Sequence, residues 1–475
     1  MKYPLWSKAL ALAAVVMGLM WALWTVQSLV TERQHRQSEA ERSVASSLAS
    51  SQTLLGPVIT RVCTETWVNG GAVASDAGGA LERQTHVIRL PASQVKVDAK
   101  VGLTPRYRGM FKVNGYELKS VVKAQWTSVA GLASQTMQAS HPGGRVQCDE
   151  PVLNMALSDA RGIRAAEWTA NGKVLRVDPG SGLGAQPRGF QASLADLPLK
   201  DGAALDVVLN LELAGTQQLA WVPVADTTLI HLATDWPHPS FGGRFLPSER
   251  HVQSGGFDAT WKVTSLASTA QQEWRNGGKV CERPLGDQGA AYGIDGPAEF
   301  ADAKQGTACV EAFGVKFIDP VDPYTLSDRA TKYGLLFIVL TFVAVGLTEV
   351  LRRLRVHPIQ YLLVGAALSV FFLLLVSLSE HMLFGYAYAL ASLACTLLLT
   401  FYGSFVLRGW VAGSVFGIGI AGLFGTLYAL LQMEQNALVL GALLIFLVLT
   451  VVMVSTRKLD WYELFEQMRG EGVAR

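Results

Sequence analysis

Charge is what this chain has least of. Only 16% of its 475 residues are Asp, Glu, Lys or Arg, where ordinary soluble domains carry about 25%. The shortage is local: no charged residue lies between Arg355 and Glu380, between Glu380 and Arg408, or between Arg408 and Glu434. The formal net charge is +2, which leaves no electrostatic footprint for a nucleic-acid partner. Five cysteines in a chain this long are too few for a disulfide-built scaffold. A G-x-S-x-G nucleophile elbow is missing, which removes the plainest hydrolase signature. Also missing is a pair of interrupted apolar segments with repeated polar midplane residues, the usual pointer to a transporter site.

What fills the uncharged stretches is apolar. Six segments, 9–30, 333–351, 358–379, 382–403, 410–431 and 436–456, are long enough to cross a bilayer, which takes about 20 residues per helix. The first runs from Ala9 to Val30 without a small-x-small cleavage site before "TERQ", so it reads as an uncleaved anchor and not a signal peptide. Glu349 sits in the last turn of the second, with Arg352 and Arg353 at pairing distance along a helix.

The short loops between the last five segments differ in charge. "RRLRVHP" and "LRG" carry Arg352, Arg353, Arg355 and Arg408, whereas "SEHMLFG" and "LQMEQN" contain no Lys or Arg. The positive-inside rule then places the arginine loops, the tail and the N-terminus in the cytoplasm, and everything between the first two spans outside it. Arg33, Arg36 and Arg42 oppose this locally. Long translocated domains override such charges, and glutamates are interleaved with them.

Between the first two spans the texture changes. Residues 31–56 read as the anchor helix continuing as a stalk, stopped by Gly56-Pro57. Beyond it, "HVIRL", "QVKVDAKVGL", "YELKSVVKAQW", "KVLRVD", "LDVVLNLELAG" and "FDATWKVTSL" alternate with the period of strands. Asn114-Gly115, Pro142-Gly143-Gly144, Asn171-Gly172 and Asn276-Gly277-Gly278 read as the turns between them. Short strands in this number imply a β-sandwich or two packed β lobes. Cys63, Cys148, Cys281 and Cys309 fall here, an even number suited to two disulfides in an oxidising compartment. Three connectivities exist; sequence order favours Cys63–Cys148 with Cys281–Cys309.

Several blocks in one order resemble the CreD family of bacterial inner-membrane proteins: "QTLLGPVI" (52–59), "RYRGMFKV" (106–113), "LSDARGI" (157–163), "WPHPSFGGRFLP" (236–247) with "GGFDATWKV" (255–263), "FGVKFIDPVDPYTLSDRATKYGLLFIVLTF" (313–342), "HPIQYLLVG" (357–365) and "LDWYEL" (459–464). "FKVNGYEL" and "LASTAQQEW" depart from the family pattern and put loop detail there in doubt. The resemblance implies a Gram-negative inner-membrane protein with a periplasmic β-rich domain, a link to cell-envelope integrity and stress response, membership of a two-component regulon, and an association with colicin tolerance. It implies no reaction.

The expected organisation is a cytoplasmic N-terminus (1–8), an anchor (9–30), a helical stalk (31–56), a periplasmic β-rich domain (57–332), a five-helix transmembrane bundle (333–456) and a cytoplasmic tail (457–475). "WPHPSFGGRFLP" reads as a rigid loop whose Trp236, His238, Phe241, Arg244 and Phe245 offer a surface to envelope proteins or glycans; the competing reading is a turn that packs its aromatics inward. A metal site from His231, Asp235, His238 and His251 is disfavoured, because residues four apart on a strand lie about 13 Å apart. A Ser–His–Asp relay from Ser240 or Ser254, His238 and Asp235 has only composition behind it. No metal and no cofactor is expected. Glu380-His381 at the outer end of two spans is the ionisable pair a transporter would use, though an interfacial placement explains it too. Gly413, Gly417, Ala421 and Gly425 align a small-residue stripe on the fifth span, for a neighbouring helix of the same chain or for a second copy. In "FIDPVDPYTLSDRATKYG", the Asp-Pro pairs read as a stiff linker and "SDRATK" as a capped helix start. The expected function is non-enzymatic: support of the envelope by binding its components, with transport through the bundle as the alternative and a periplasmic hydrolase behind it.

Overall fold

The computed structural model describes residues 5–68, 81–129, 132, 139–200, 202–281, 285, 309–317, 319, 322–351, 354, 356–433 and 437–457. The chain divides into two units: Glu39–Pro320, and Met1–Ser38 together with Val321–Arg475. The first contains the strands and the second all five C-terminal spans.

In chain order the strands are β1 (Gln52–Val68), β2 (Leu81–Pro91), β3 (Gln94–Arg108), β4 (Phe111–Trp126), β5 (Arg145–Cys148), β6 (Val152–Leu157), β7 (Ile163–Ala170), β8 (Lys173–Leu175), β9 (Asp178–Pro179), β10 (Gly189–Ser193), β11 (Leu205–Thr216), β12 (Gln218–Val222), β13 (Thr227–Thr234), β14 (Pro239–Gly243), β15 (Glu249–Gln253), β16 (Gly256–Thr264) and β17 (Phe313–Phe317). Among the described residues they form two sheets. One, of nine strands, runs β14-β17-β12-β1-β6-β10-β9, with β2 and β5 also paired to β1; the other, of eight, runs β15-β16-β13-β3-β4-β11-β7-β8. The period-two alternation explains why the sheets stack. On β3, Val95, Val97, Ala99 and Val101 are buried while Gln94, Lys96 and Lys100 are exposed. These valines share one core with Leu209 and Trp261 of their own sheet and with Leu153, Phe190, Trp221 and Phe313 of the other. Of the two architectures expected, the sandwich is the one formed.

Several local expectations are corrected. Helix α1 (Leu5–Ser47) stops before residue 56, and Gly56-Pro57 lies inside β1, where its pairing with β6 shifts register between Leu55 and Val58. Gly56 has φ +116°, so it serves a bulge and not a helix end. Asn114-Gly115 is not a turn: β4 runs through it, and the hairpin with β3 closes at Gly109-Met110. The Asn114 amide donates to the Phe317 carbonyl (3.2 Å) and to Asp319 Oδ2 (3.1 Å). A Cβ on Gly115 would sit 3.0 Å from the Thr104 carbonyl and 3.4 Å from the Leu48 side chain. "KVLRVD" is broken into β8 and β9. Asn171-Gly172 does turn, with φ of 48° and 80°.

The helices after the short α2 (Ala270–Arg275) are α3 (Pro323–Lys332), α4 (Gly334–Leu351), α5 (Pro358–Ser379), α6 (Phe384–Val406), α7 (Trp410–Gln432) and α8 (Ala437–Thr456). The six apolar helices expected from the sequence are all present. α3 starts at Pro323, not within "SDRATK": Asp322 caps it by accepting from the Thr325 amide (3.1 Å) and hydroxyl (2.6 Å). α1 packs into the bundle through Leu19, Leu23 and Val26. Gly365 and Gly334 let it approach, since a Cβ on Gly334 would lie 3.0 Å from Leu23 and 3.1 Å from Phe372. The centre is aromatic: Phe371 and Phe424 have ring centroids 4.4 Å apart, and Tyr388 lies 5.5 Å from Phe371.

Candidate functional site

"WPHPSFGGRFLP" is less of a loop than its composition suggests. Pro239–Gly243 is the edge strand β14, paired to β17, and an edge tolerates the missing proline donor. Alternation then turns the aromatics inward. Phe241 meets Phe257 and Trp261 edge-on at 5.4 and 5.6 Å, and Phe245 meets Phe313 at 6.0 Å. Gly243, with φ +90°, passes where a Cβ would lie 2.7 Å from Phe313 Cα. Trp236 donates its indole N–H to the His238 carbonyl (2.9 Å), and the Lys112 ammonium sits 5.5 Å from its ring centroid. Lys112 in turn reaches Asp319 at 3.2 Å. Arg244 is exposed and its Nε lies 3.6 Å from Glu311 Oε1. The five candidates therefore separate: Trp236, Phe241 and Phe245 are half-buried wall, and His238 and Arg244 are exposed. Phe241→Ala is expected to lower stability by about 2 kcal/mol in thermal unfolding, below the range for fully buried rings, while Phe241→Leu stays close to wild type.

The polar residues expected to gather do not. Asp235 accepts from the Leu103 amide (3.3 Å), His231 pairs with the Thr260 hydroxyl (3.3 Å), and His251 pairs with Asp258 (3.1 Å). No hydrogen bond joins Asp235 or His238 to Ser240 or Ser254 among the described residues. No group of three or more His, Cys, Asp or Glu among the described residues could hold a metal ion.

Both disulfides form in sequence order, Cys63–Cys148 and Cys281–Cys309, and Cys395 is a buried free thiol. Beside the first lies a cluster that sequence reasoning missed. Glu65, 1% exposed, accepts from the His141 amide (2.8 Å) and faces its Nδ1 (3.3 Å), with His86 Nε2 at 3.9 Å. Trp67 stacks on His141 at 3.7 Å. Burial would raise the Glu65 carboxyl, but the His141 amide and imidazole and the Ser140 amide hold it below its ordinary value. "LSDARGI" is the second missed site. Asp159 accepts from the Ser50 amide (2.9 Å) and from Arg161, whose guanidinium also donates to the Ser46 and Ala45 carbonyls at the end of α1.

In the other unit Glu380 is not an isolated interfacial group. It caps α5 with its side chain 9% exposed, and Arg33 Nε lies 3.1 Å from Oε1. The Tyr324 hydroxyl is 3.5 Å from the same oxygen. Gln27 donates to Asp328, which pairs with Lys332 at 2.8 Å. Thus the end of the first apolar segment, the start of α3–α4 and the end of α5 meet at one end of the bundle. Arg36 pairs with Glu32 at 2.9 Å. At the other end Glu349 accepts from Tyr361 Oη (2.8 Å) and the Val356 amide (3.1 Å). Arg352, Arg353, Arg355 and the tail from 458 onward lie outside the described residues.

The glycine stripe divides as well. Gly413 and Gly417 are buried against Ser404 and Thr400 of α6, whereas Ala421 and Gly425 face outward and a Cβ on Gly425 meets nothing within 4 Å. The first half thus serves the chain's own packing. Gly417→Leu is expected to destabilise the bundle by about 2 kcal/mol through overpacking. Gly425→Leu is expected to change the melting temperature in detergent little, by less than about 0.5 kcal/mol equivalent.

Six apolar helices with a β-sandwich between the first and second define a polytopic membrane protein carrying one large strand-built domain. The sequence model of the family described as "Inner membrane protein CreD" matches residues 4–462. The chain is 32% identical over 467 residues to Inner membrane protein CreD of Escherichia coli (strain K12), covering 97% of this chain and 95% of that protein. The chain belongs to the CreD family of inner membrane proteins. Among solved structures, an M1 zinc metallopeptidase from Deinococcus radiodurans aligns over 36% of this chain and 38% of its own, at 14% identity and a TM-score of 0.20, a likeness too slight to carry an argument.

Proposed function

We propose that this protein supports the integrity of the cell envelope without catalysing a reaction, by holding its β-sandwich on the periplasmic side of the inner membrane and binding envelope proteins or glycans there. The observation that carries the reading is the character of the bundle. Between its two ends, the described buried side chains are apolar, aromatic or hydroxyl-bearing apart from the Cys395 thiol, and the carboxylates are held at the ends, Glu380 by Arg33 and Glu349 by Tyr361. Such a bundle suits an anchor better than a solute path. Orientation is supported by the loop arginines and by the pairing of Arg33 and Arg36, which explains why basic residues follow the first span.

The reading is tested with a photocrosslinking residue at His238 or Arg244, the exposed members of the candidate set, in living cells. Capture of the same periplasmic protein or glycan from both positions, and not from 241, is expected. Capture of cytoplasmic proteins from either position would reverse the orientation and remove the proposal.

A further inference from the structure

The β3–β4 hairpin is longer than the sheet that holds it. Pairing of β13 to β3 ends at Val101, and pairing of β11 to β4 ends at Gly115. Beyond those residues the two strands continue with each other as ladder partners, out to Arg108 opposite Phe111 and the turn at Gly109-Met110. A two-stranded ribbon is marginal in water by itself, so an overhang of this length implies a partner for its tip.

The tip has a definite chemistry. Tyr107 is 68% and Met110 46% exposed. Arg106 and Arg108 are exposed on the opposite face of the ribbon from Tyr107, and neither makes an ion pair with another described residue. Lys112 is already engaged by Asp319. An amphipathic ring, a flexible thioether and two unspent guanidinium groups are what a bilayer's headgroup layer accepts.

The ribbon's base has a definite place. The Leu48 side chain, one residue past the end of α1, lies over Gly115. Asn114 and Lys112 hold Asp319, shortly before α3 begins. Both passages of chain between the sandwich and the membrane-spanning helices therefore lie at the base of this ribbon. β1 leaves that end at Gln52 and β17 arrives at it at Phe317, so the rest of the sandwich extends the other way.

We propose that the β3–β4 ribbon is a lipid-contacting finger, whose Tyr107 and Met110 enter the interfacial layer of the bilayer the chain itself spans while Arg106 and Arg108 bind its anionic phospholipid headgroups. This rests on the spanning helices and not on which compartment holds the sandwich, so it stands or falls separately from the function proposed above.

The test uses full-length protein in nanodiscs containing a headgroup-nitroxide lipid. Met110→Cys is labelled with a fluorophore; the other outer cysteines are disulfide-bonded and Cys395 is buried. Val174→Cys, on an exposed side chain near the opposite end of the same sheet, is the reference. In discs containing phosphatidylglycerol the label at 110 is quenched well above the label at 174. Replacing Arg106 or Arg108 with Gln lowers the finger's partition onto the anionic surface about fivefold each. Quenching at 110 no greater than at 174, quenching equal in purely zwitterionic discs, or indifference to both arginine substitutions would each overturn the proposal.

Discussion

Replacing Arg33 with alanine is expected to destabilise the bundle by about 3 kcal/mol, more than replacing Glu380 with glutamine. The asymmetry follows from burial. Glu380 is 9% exposed and Arg33 34%. Without Arg33, a carboxylate held at the end of α5 keeps, among the described residues, the Tyr324 hydroxyl as its remaining side-chain partner, at 3.5 Å. A buried charge that loses its counter-charge carries its full desolvation penalty. Without the carboxylate, Arg33 still reaches water, and the amide introduced by Glu380→Gln keeps a hydrogen-bond acceptor. Combining Arg33→Met with Glu380→Leu should recover much of the loss, since an apolar pair of similar volume needs no desolvation of charge. Thermal unfolding of the detergent-solubilised protein measures all three variants. Equal losses for the two single variants would mean that the Glu380 carboxylate, 9% exposed, carries no added desolvation penalty when Arg33 is removed.

The same pair shows where the sequence was legible and where it was not. The six spans could be read because lipid demands long uncharged runs, a constraint that acts residue by residue. The sandwich strands could be read because period-two alternation is local: β3 and β11 fall where "QVKVDAKVGL" and "LDVVLNLELAG" alternate. Arg33 was misleading because its partner, Glu380, lies far along the chain and only the fold pairs them. Asn114-Gly115 was misread for the same reason: a dipeptide that turns in most hairpins stays extended here, because its side chain is engaged by Asp319. For the aromatics of "WPHPSFGGRFLP" the sequence leaves two readings open, a docking surface or inward packing, and pairing of β14 to β17 turns Phe241 inward. Gly413 and Gly417 announced close packing; that Ser404 and Thr400 receive them is a tertiary fact.

Asp159→Ala is expected to cost about 3 kcal/mol, because it leaves several donors without their acceptor while Arg161, 56% exposed, still reaches water. Its side chain is 4% exposed and accepts from the Ser50 amide and hydroxyl, the Arg161 amide and the Arg161 guanidinium. Arg161, thus oriented, closes the last carbonyls of α1 at Ala45 and Ser46. One carboxylate therefore ties the helix end, the start of β1 and the short turn before β7 together, and its loss leaves several donors unpaired at once. The linkage has a definite sign. Burial alone would raise the carboxyl, but the Arg161 guanidinium and the Ser50 donors outweigh it and hold Asp159 well below the usual carboxylate range. A folded value below the unfolded one means that its stabilisation is complete above about pH 4 and is lost as pH falls toward the folded value. Asp159→Asn cannot titrate, so its melting temperature should start lower at neutral pH and fall less steeply on acidification than wild type. Parallel curves for the two proteins between neutral and acid pH would show that the Asp159 carboxylate does not supply this stability.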